Sequence, residues 1–120
     1  MLRLLLVEDH AILAEVTADF LRGAGLDVRV AETGHEALTL AAEFQPEIVL
    51  CDLNLPDMSG FDIARELRKN PATRNVLFVI HTALSETDFG DAAVRNIDLV
   101  LSKPMDKEKL EKILSLKQAP

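Results

Sequence analysis

The stretch Ile48-Val49-Leu50-Cys51-Asp52-Leu53-Asn54-Leu55-Pro56-Asp57-Met58-Ser59-Gly60 runs from consecutive apolar residues into an acid and then into turn formers. An apolar run this short, closed by Asn, Pro, Asp and Gly, reads as a strand covered on both faces. Its end places the Asp52 carboxylate at the rim of a sheet. Leu4 to Val7 and Val76 to Ile80 are runs of the same kind. Val28 and Val30 alternate with polar neighbours, as a half-buried edge strand does, and Ile97 to Leu101 is apolar apart from Asp98.

Between these runs the apolar period becomes helical. Ile12, Leu13, Val16 and Phe20 share one stripe, and Ala37, Leu38, Ala41 and Phe44 another. Gly23 and Gly25 can end the first helix, Thr33 with Glu36 has capping-box spacing, and Pro46 stops the second. Ser59 with Asp62 and Ser85 with Asp88 read as helix starts, and Asp106 caps a last helix whose stripe is Leu110, Ile113 and Leu114. Strand and helix thus alternate along the chain, which implies a parallel sheet with helices on both faces. Residues 1–117 read as one domain, with Gln118-Ala119-Pro120 as a tail.

Composition narrows the function. A net charge of -7 disfavours direct contact with nucleic acid or acidic lipid. No apolar run approaches the roughly 20 residues of a membrane span, and the N-terminus lacks the pattern of a signal peptide, so a cytoplasmic protein is expected. The one cysteine, Cys51, lies in an apolar strand, where a buried, unreactive thiol is expected.

In an open α/β sheet, ligands bind beyond the carboxyl ends of the strands. Here those ends carry Glu8-Asp9, Asp52, His81-Thr82 and Ser102-Lys103-Pro104. Clustered carboxylates repel unless a cation neutralises them, and oxygen donors favour a hard ion such as Mg2+. A carboxylate beside a metal, an ammonium and a hydroxyl can attack phosphorus to form an acyl phosphate. Each residue alone has a plainer reading: Asp9 as the N-cap of the helix carrying Ile12, Lys103 as a solvated side chain, Thr82 as a turn residue, Glu8 as a surface acid.

Taken together, Leu5-Leu6-Val7-Glu8-Asp9, Ile48 to Gly60, His81-Thr82-Ala83 and Lys103-Pro104 resemble the receiver domains of two-component response regulators, over nearly the whole chain. The resemblance implies a flavodoxin-like, doubly wound (βα)5 three-layer sandwich with strand order 2-1-3-4-5. It implies a regulatory phosphoacceptor rather than an enzyme, one that assists its own phosphotransfer and slow self-dephosphorylation. By that resemblance Asp52 accepts a phosphoryl group from a histidine kinase or histidine phosphotransfer protein. Mg2+ is held by Asp9, Asp52 and the Asn54 carbonyl, with Glu8 assisting through metal-bound water. Lys103 pairs with the phosphoryl group, Thr82 shifts to hydrogen-bond it, and the Lys103-Pro104 bond is cis. Such domains occur alone or as part of a larger regulator or hybrid sensor kinase with an output domain on the same chain, and homodimerisation through the face from the fourth to the fifth helix is common among them.

Other positions tune this picture. Ala83 is small and leaves the acceptor accessible, while Asn54 and Leu84 stand where the family sets acyl-phosphate lifetime. An apolar Leu84 implies no unusually fast self-hydrolysis. Val100 replaces the usual aromatic of the fifth strand, Asn96-Ile97 replace a Gly-Ala pair, and the preceding segment is about one residue short. Three rival readings fare worse. A haloacid-dehalogenase-like phosphatase needs an acid where Asn54 stands. A flavodoxin-type FMN carrier needs a phosphate loop where Glu8-Asp9 stand. A phosphate-independent interaction module would not need the full set of acids, Thr82 and Lys103.

Overall fold

In the computed structural model, which describes residues 1–83 and 95–118, each apolar run forms a strand. The order is β1 (Arg3–Val7), α1 (Ala11–Gly23), β2 (Asp27–Ala31), α2 (Gly34–Phe44), β3 (Ile48–Asp52), α3 (Gly60–Lys69), β4 (Leu77–Thr82), β5 (Leu99–Ser102) and α4 (Lys107–Gln118). The strands form one parallel sheet in the order β2-β1-β3-β4-β5, as expected. Register brings the strand ends to one level: Val7 faces Cys51, Asp52 faces His81, and Thr82 faces Ser102. His81 and Thr82 form the carboxyl end of β4, as expected.

Both faces of the sheet are covered, which is why its central strands are uninterrupted apolar runs. Leu5, Val7, Val49, Cys51, Phe78 and Ile80 pack with Ala37 and Ala41 of α2 and Ile63 and Leu67 of α3. Leu4, Leu6, Ile48, Leu50, Val79 and Leu101 pack with Ala18 and Leu21 of α1 and Leu110 and Ile113 of α4. Burying each such Leu, Ile or Val side chain stabilises the fold by about 1.5–3 kcal/mol before chain entropy is subtracted. Val100 contacts the first of these cores from β5. Among the described residues no helix is long and apolar enough to cross a membrane.

The first helix corrects the sequence reading. Ala14, Thr17, Ala18 and Leu21 make its buried face, whereas Ile12, Val16 and Phe20 are 71%, 61% and 38% exposed. The helix carries apolar residues on two sides, and the small side chains let its axis approach the sheet closely, turning the larger row outward.

Side chains cap the helices largely as their sequence signals suggest. Thr33 Oγ1 accepts from Glu36 N at 3.1 Å, Ser59 and Asp62 form a reciprocal capping box, and Asp106 Oδ1 accepts from Lys109 N at 2.8 Å. At α1 the cap is His10, whose Nδ1 accepts from Leu13 N at 3.2 Å, so Asp9 is not the cap. Gly25, at φ 94, follows α1, and Gln45, at φ 50, ends α2 just before Pro46. The Ser85 and Asp88 helix start and Leu84 lie outside the described residues. Before β5, the Asn96 carbonyl accepts from Arg68 Nη2 at 2.9 Å, and Asp98 Oδ2 accepts from Phe78 N at 2.7 Å.

Candidate functional site

Glu8 and Asp9 leave the sheet together but diverge. The Glu8 N–H still donates to Ala31 O at 2.9 Å, so the ladder continues past β1 and turns the Glu8 side chain inward, while Asp9 is exposed. Glu8, Asp9 and the Asp52 side chain from β3 each offer an oxygen, and these oxygens lie within 4.8 Å of one another. Lys103, just beyond β5, reaches back across the sheet end. Its Nζ lies 2.6 Å from Glu8 Oε1 and 3.5 Å from Asp52 Oδ2. Thr82, buried at the end of β4, accepts from Lys103 N through its carbonyl at 2.8 Å. The Lys103–Pro104 bond is cis, and Lys109 Nζ of α4 donates to the carbonyls of Ser102 and Pro104, each at 2.8 Å.

The loop after Asp52 is a narrow turn. Gly60 N donates to Leu53 O at 2.7 Å, Leu55 N donates to Met58 O at 3.3 Å, and Asn54 bridges Ser59. Gly60 is required by proximity, because a Cβ there would lie 2.8 Å from the Asp52 carbonyl oxygen and 2.8 Å from Ile80 Cδ1. The start of α3 thus abuts the backbone of Asp52 itself. Asn54 is exposed on this loop, two residues beyond Asp52 and the end of β3.

Charge is unevenly shared among these groups. Burial pushes the Glu8 carboxyl up, but hydrogen bonds from Lys103 and from the His10 N–H outweigh it and hold the group below its ordinary value. Burial also pushes the Asp52 carboxyl up; the Lys103 ammonium opposes this, the Glu8 charge adds to it, and the net direction is up. Lys103 therefore serves Glu8 first and leaves Asp52 the more basic, less compensated carboxylate. His81 is buried beside them and is held down to about 4 by burial and then by Lys103, so it is a neutral imidazole at pH 7. Its Nε2 has no hydrogen-bond partner among the described residues.

A cluster of carboxylate oxygens at the end of a parallel sheet is a donor set that fits a hard divalent cation such as Mg2+. The expected site residues Glu8, Asp9, Asp52 and Lys103 are brought together, Thr82 stands at the neighbouring strand end, and Asn54 lies on the adjoining loop. Two residues named in the sequence motifs, His81 and Gly60, carried no assigned role there. His81 gave a signal, a polar residue in a buried strand; Gly60 gave only that of a turn glycine.

Comparison with known proteins agrees with this architecture. The profile of the response regulator receiver domain matches residues 4–115. The DNA-binding response regulator MtrA of Mycobacterium tuberculosis is 45% identical over 85 residues, covering 71% of this chain and 36% of that protein. The chain therefore spans little more than a third of the length of that relative. Among solved structures, a CheY-like receiver domain from Methylobacillus flagellatus superposes with a TM-score of 0.90 at 31% identity, over 98% of this chain and 99% of that one. TrrA of Thermotoga maritima, solved in complex with Mg(2+)-BeF, superposes with a TM-score of 0.82 at 26% identity, over 98% and 99%.

Proposed function

Since the chain belongs to the response regulator receiver domain family of two-component systems, we propose that it is a phosphorylation switch whose acceptor is the carboxylate of Asp52. One observation carries this reading: Asp52 sits within 4.8 Å of Glu8 and Asp9 oxygens and 3.5 Å from the Lys103 ammonium. An Asp52 oxygen attacks the phosphorus of a phosphohistidine, the P–N bond breaks, and the imidazole leaves with the electron pair, giving an acyl phosphate. Lys103 Nζ is in reach of the transferred group and exchanges part of its contact with Glu8 for a phosphoryl oxygen. The Thr82 hydroxyl, next along the strand ends, supplies a donor to the same group. Asp9, Asp52 and the Asn54 carbonyl would hold Mg2+, with Glu8 assisting; when bound, the ion neutralises charge on the phosphoryl oxygens.

The donor is a histidine kinase or histidine phosphotransfer protein. The outward row Ile12, Val16 and Phe20 supports this, since it lies on the helix that begins beside Asp9 and offers apolar side chains to a helical partner. We read the chain as a cytoplasmic regulatory segment of a longer regulator, with slow self-dephosphorylation and the output made elsewhere. The net charge of -7 argues against direct DNA contact by these residues themselves.

Intact-mass measurement after incubation with a small phosphodonor tests the reading. One phosphoryl group is expected on the unsubstituted chain with Mg2+, and none without Mg2+ or on Asp52→Asn. Labelling that survives in Asp52→Asn would overturn the assignment, and no labelling at all would favour a phosphate-independent interaction module.

A further inference from the structure

The loop after Asp52 is anchored from outside the carboxylate cluster. Asp57 Oδ1 accepts from Gly34 N at 2.7 Å, and Oδ2 accepts from His35 N at 2.9 Å while also meeting the His35 imidazole. These are the first N–H groups of α2, and the next, Glu36 N, is taken by Thr33. A carboxylate set against a helix N-terminus is favoured in its charged form, and the Gly34 and His35 N–H groups hold Asp57 down to about 2. Gly34 makes the approach feasible: a Cβ there would lie 2.2 Å from Met58 Cγ and 2.6 Å from Met58 Sδ. The other end of the loop is closed by Gly60 N on Leu53 O. Asn54 therefore lies between two fixed points, one on α3 and one on α2, and α2 is itself packed into the core through Ala37 and Ala41.

Resting on the phosphoacceptor reading for what the site binds, we propose that Asp57 is a positioning residue for the divalent cation: by tying the loop to the start of α2 it presets the Asn54 carbonyl and so sets Mg2+ affinity. A ligand held in place before the ion arrives binds with less ordering cost, and outer supports of this kind shift metal affinity by about 10–100-fold. Asp57 touches neither the phosphoryl group nor the reacting atoms. Its role differs from helix capping alone, which would change stability and leave cation binding as it was.

Calorimetric titration with Mg2+ separates the two roles, using Asp57→Ala, Asp57→Asn and, as a control that removes another α2 cap without touching the loop, Thr33→Ala. Asp57→Ala should weaken Mg2+ binding about tenfold, and Asp57→Asn, which keeps one acceptor oxygen, should recover part of the loss. Thr33→Ala should lower thermal stability but leave the Mg2+ Kd unchanged. Phosphodonor labelling of Asp57→Ala should be slow at limiting Mg2+ and normal at saturation. Equal Kd values for Asp57→Ala and the parent, or equal shifts for Asp57→Ala and Thr33→Ala, would overturn the positioning role while leaving the site reading intact. Failure of the unsubstituted chain to bind Mg2+ would overturn the site reading and this inference with it.

Discussion

Replacing Lys103 with Met keeps most of the side chain's apolar stem and deletes only the ammonium. Glu8 is 3% exposed and lies 2.6 Å from that ammonium, so the variant strands a buried carboxylate. Removing one partner of a buried ion pair costs about 3–5 kcal/mol. The Lys103 side chain is 17% exposed, so water can partly replace it and the loss should fall near ~3 kcal/mol, out of a total stability of roughly 5–15 kcal/mol. In the parent, the Glu8 carboxyl is held below its ordinary value, so its contribution is present above the unfolded pKa and lost as pH falls through the folded one. In the variant burial acts without Lys103 and pushes Glu8 up. The deficit should therefore be full at neutral pH and shrink as pH falls through the carboxylate range and Glu8 takes up a proton. With no Trp or Tyr in the chain, the assay is urea unfolding followed by far-ultraviolet circular dichroism at a series of pH values. Adding Glu8→Gln to Lys103→Met should restore most of the loss. A deficit below about 1 kcal/mol at pH 7, the size of an ordinary surface pair, or one independent of pH, would refute the argument.

Four further outcomes follow from the same geometry. Asp52→Asn should raise the melting temperature at pH 7: the folded state holds the Asp52 proton more tightly than the unfolded one, so ionisation costs stability as pH rises, and the advantage should vanish below about pH 3. Val16→Glu, at a position 61% exposed, should change stability by no more than about 0.5 kcal/mol; phosphotransfer from a cognate histidine kinase should fall sharply while labelling by a small phosphodonor stays constant. Gly60→Ala should cost about 1–3 kcal/mol in urea unfolding and slow labelling, because its Cβ meets the Asp52 carbonyl. Gly23→Ala, where nothing lies within 4 Å, should stabilise by about 0.5–1 kcal/mol.

The sheet was readable because parallel strands buried on both faces leave a strong local mark, and Ile48 to Cys51 could hardly be anything else. The site was readable for a related reason: strand ends are points where topology collects side chains, so Glu8, Asp9, Asp52 and Lys103 could be assembled without coordinates. Helix orientation was harder. Ile12, Val16 and Phe20 form a valid amphipathic stripe, and only the closeness permitted by Ala14 and Ala18 decides that they face outward. The capping of α1 by His10 in place of Asp9 is likewise a matter of where the chain turns. The clasp of Asp57 on α2 joins segments distant in sequence, and periodicity carries no information about such contacts.

Cys51 sits beside the acceptor with no exposed surface, and burial, reinforced by the Asp52 charge, pushes its thiol up well above the ordinary range. A thiol so placed is silent to alkylating reagents while β3 stays closed. It answers only when the central strand opens, since the thiolate is the reacting form. The molecule thereby carries its own internal clock for opening at the acceptor, and a cysteine introduced on the surface can bear a probe without competition from the native one.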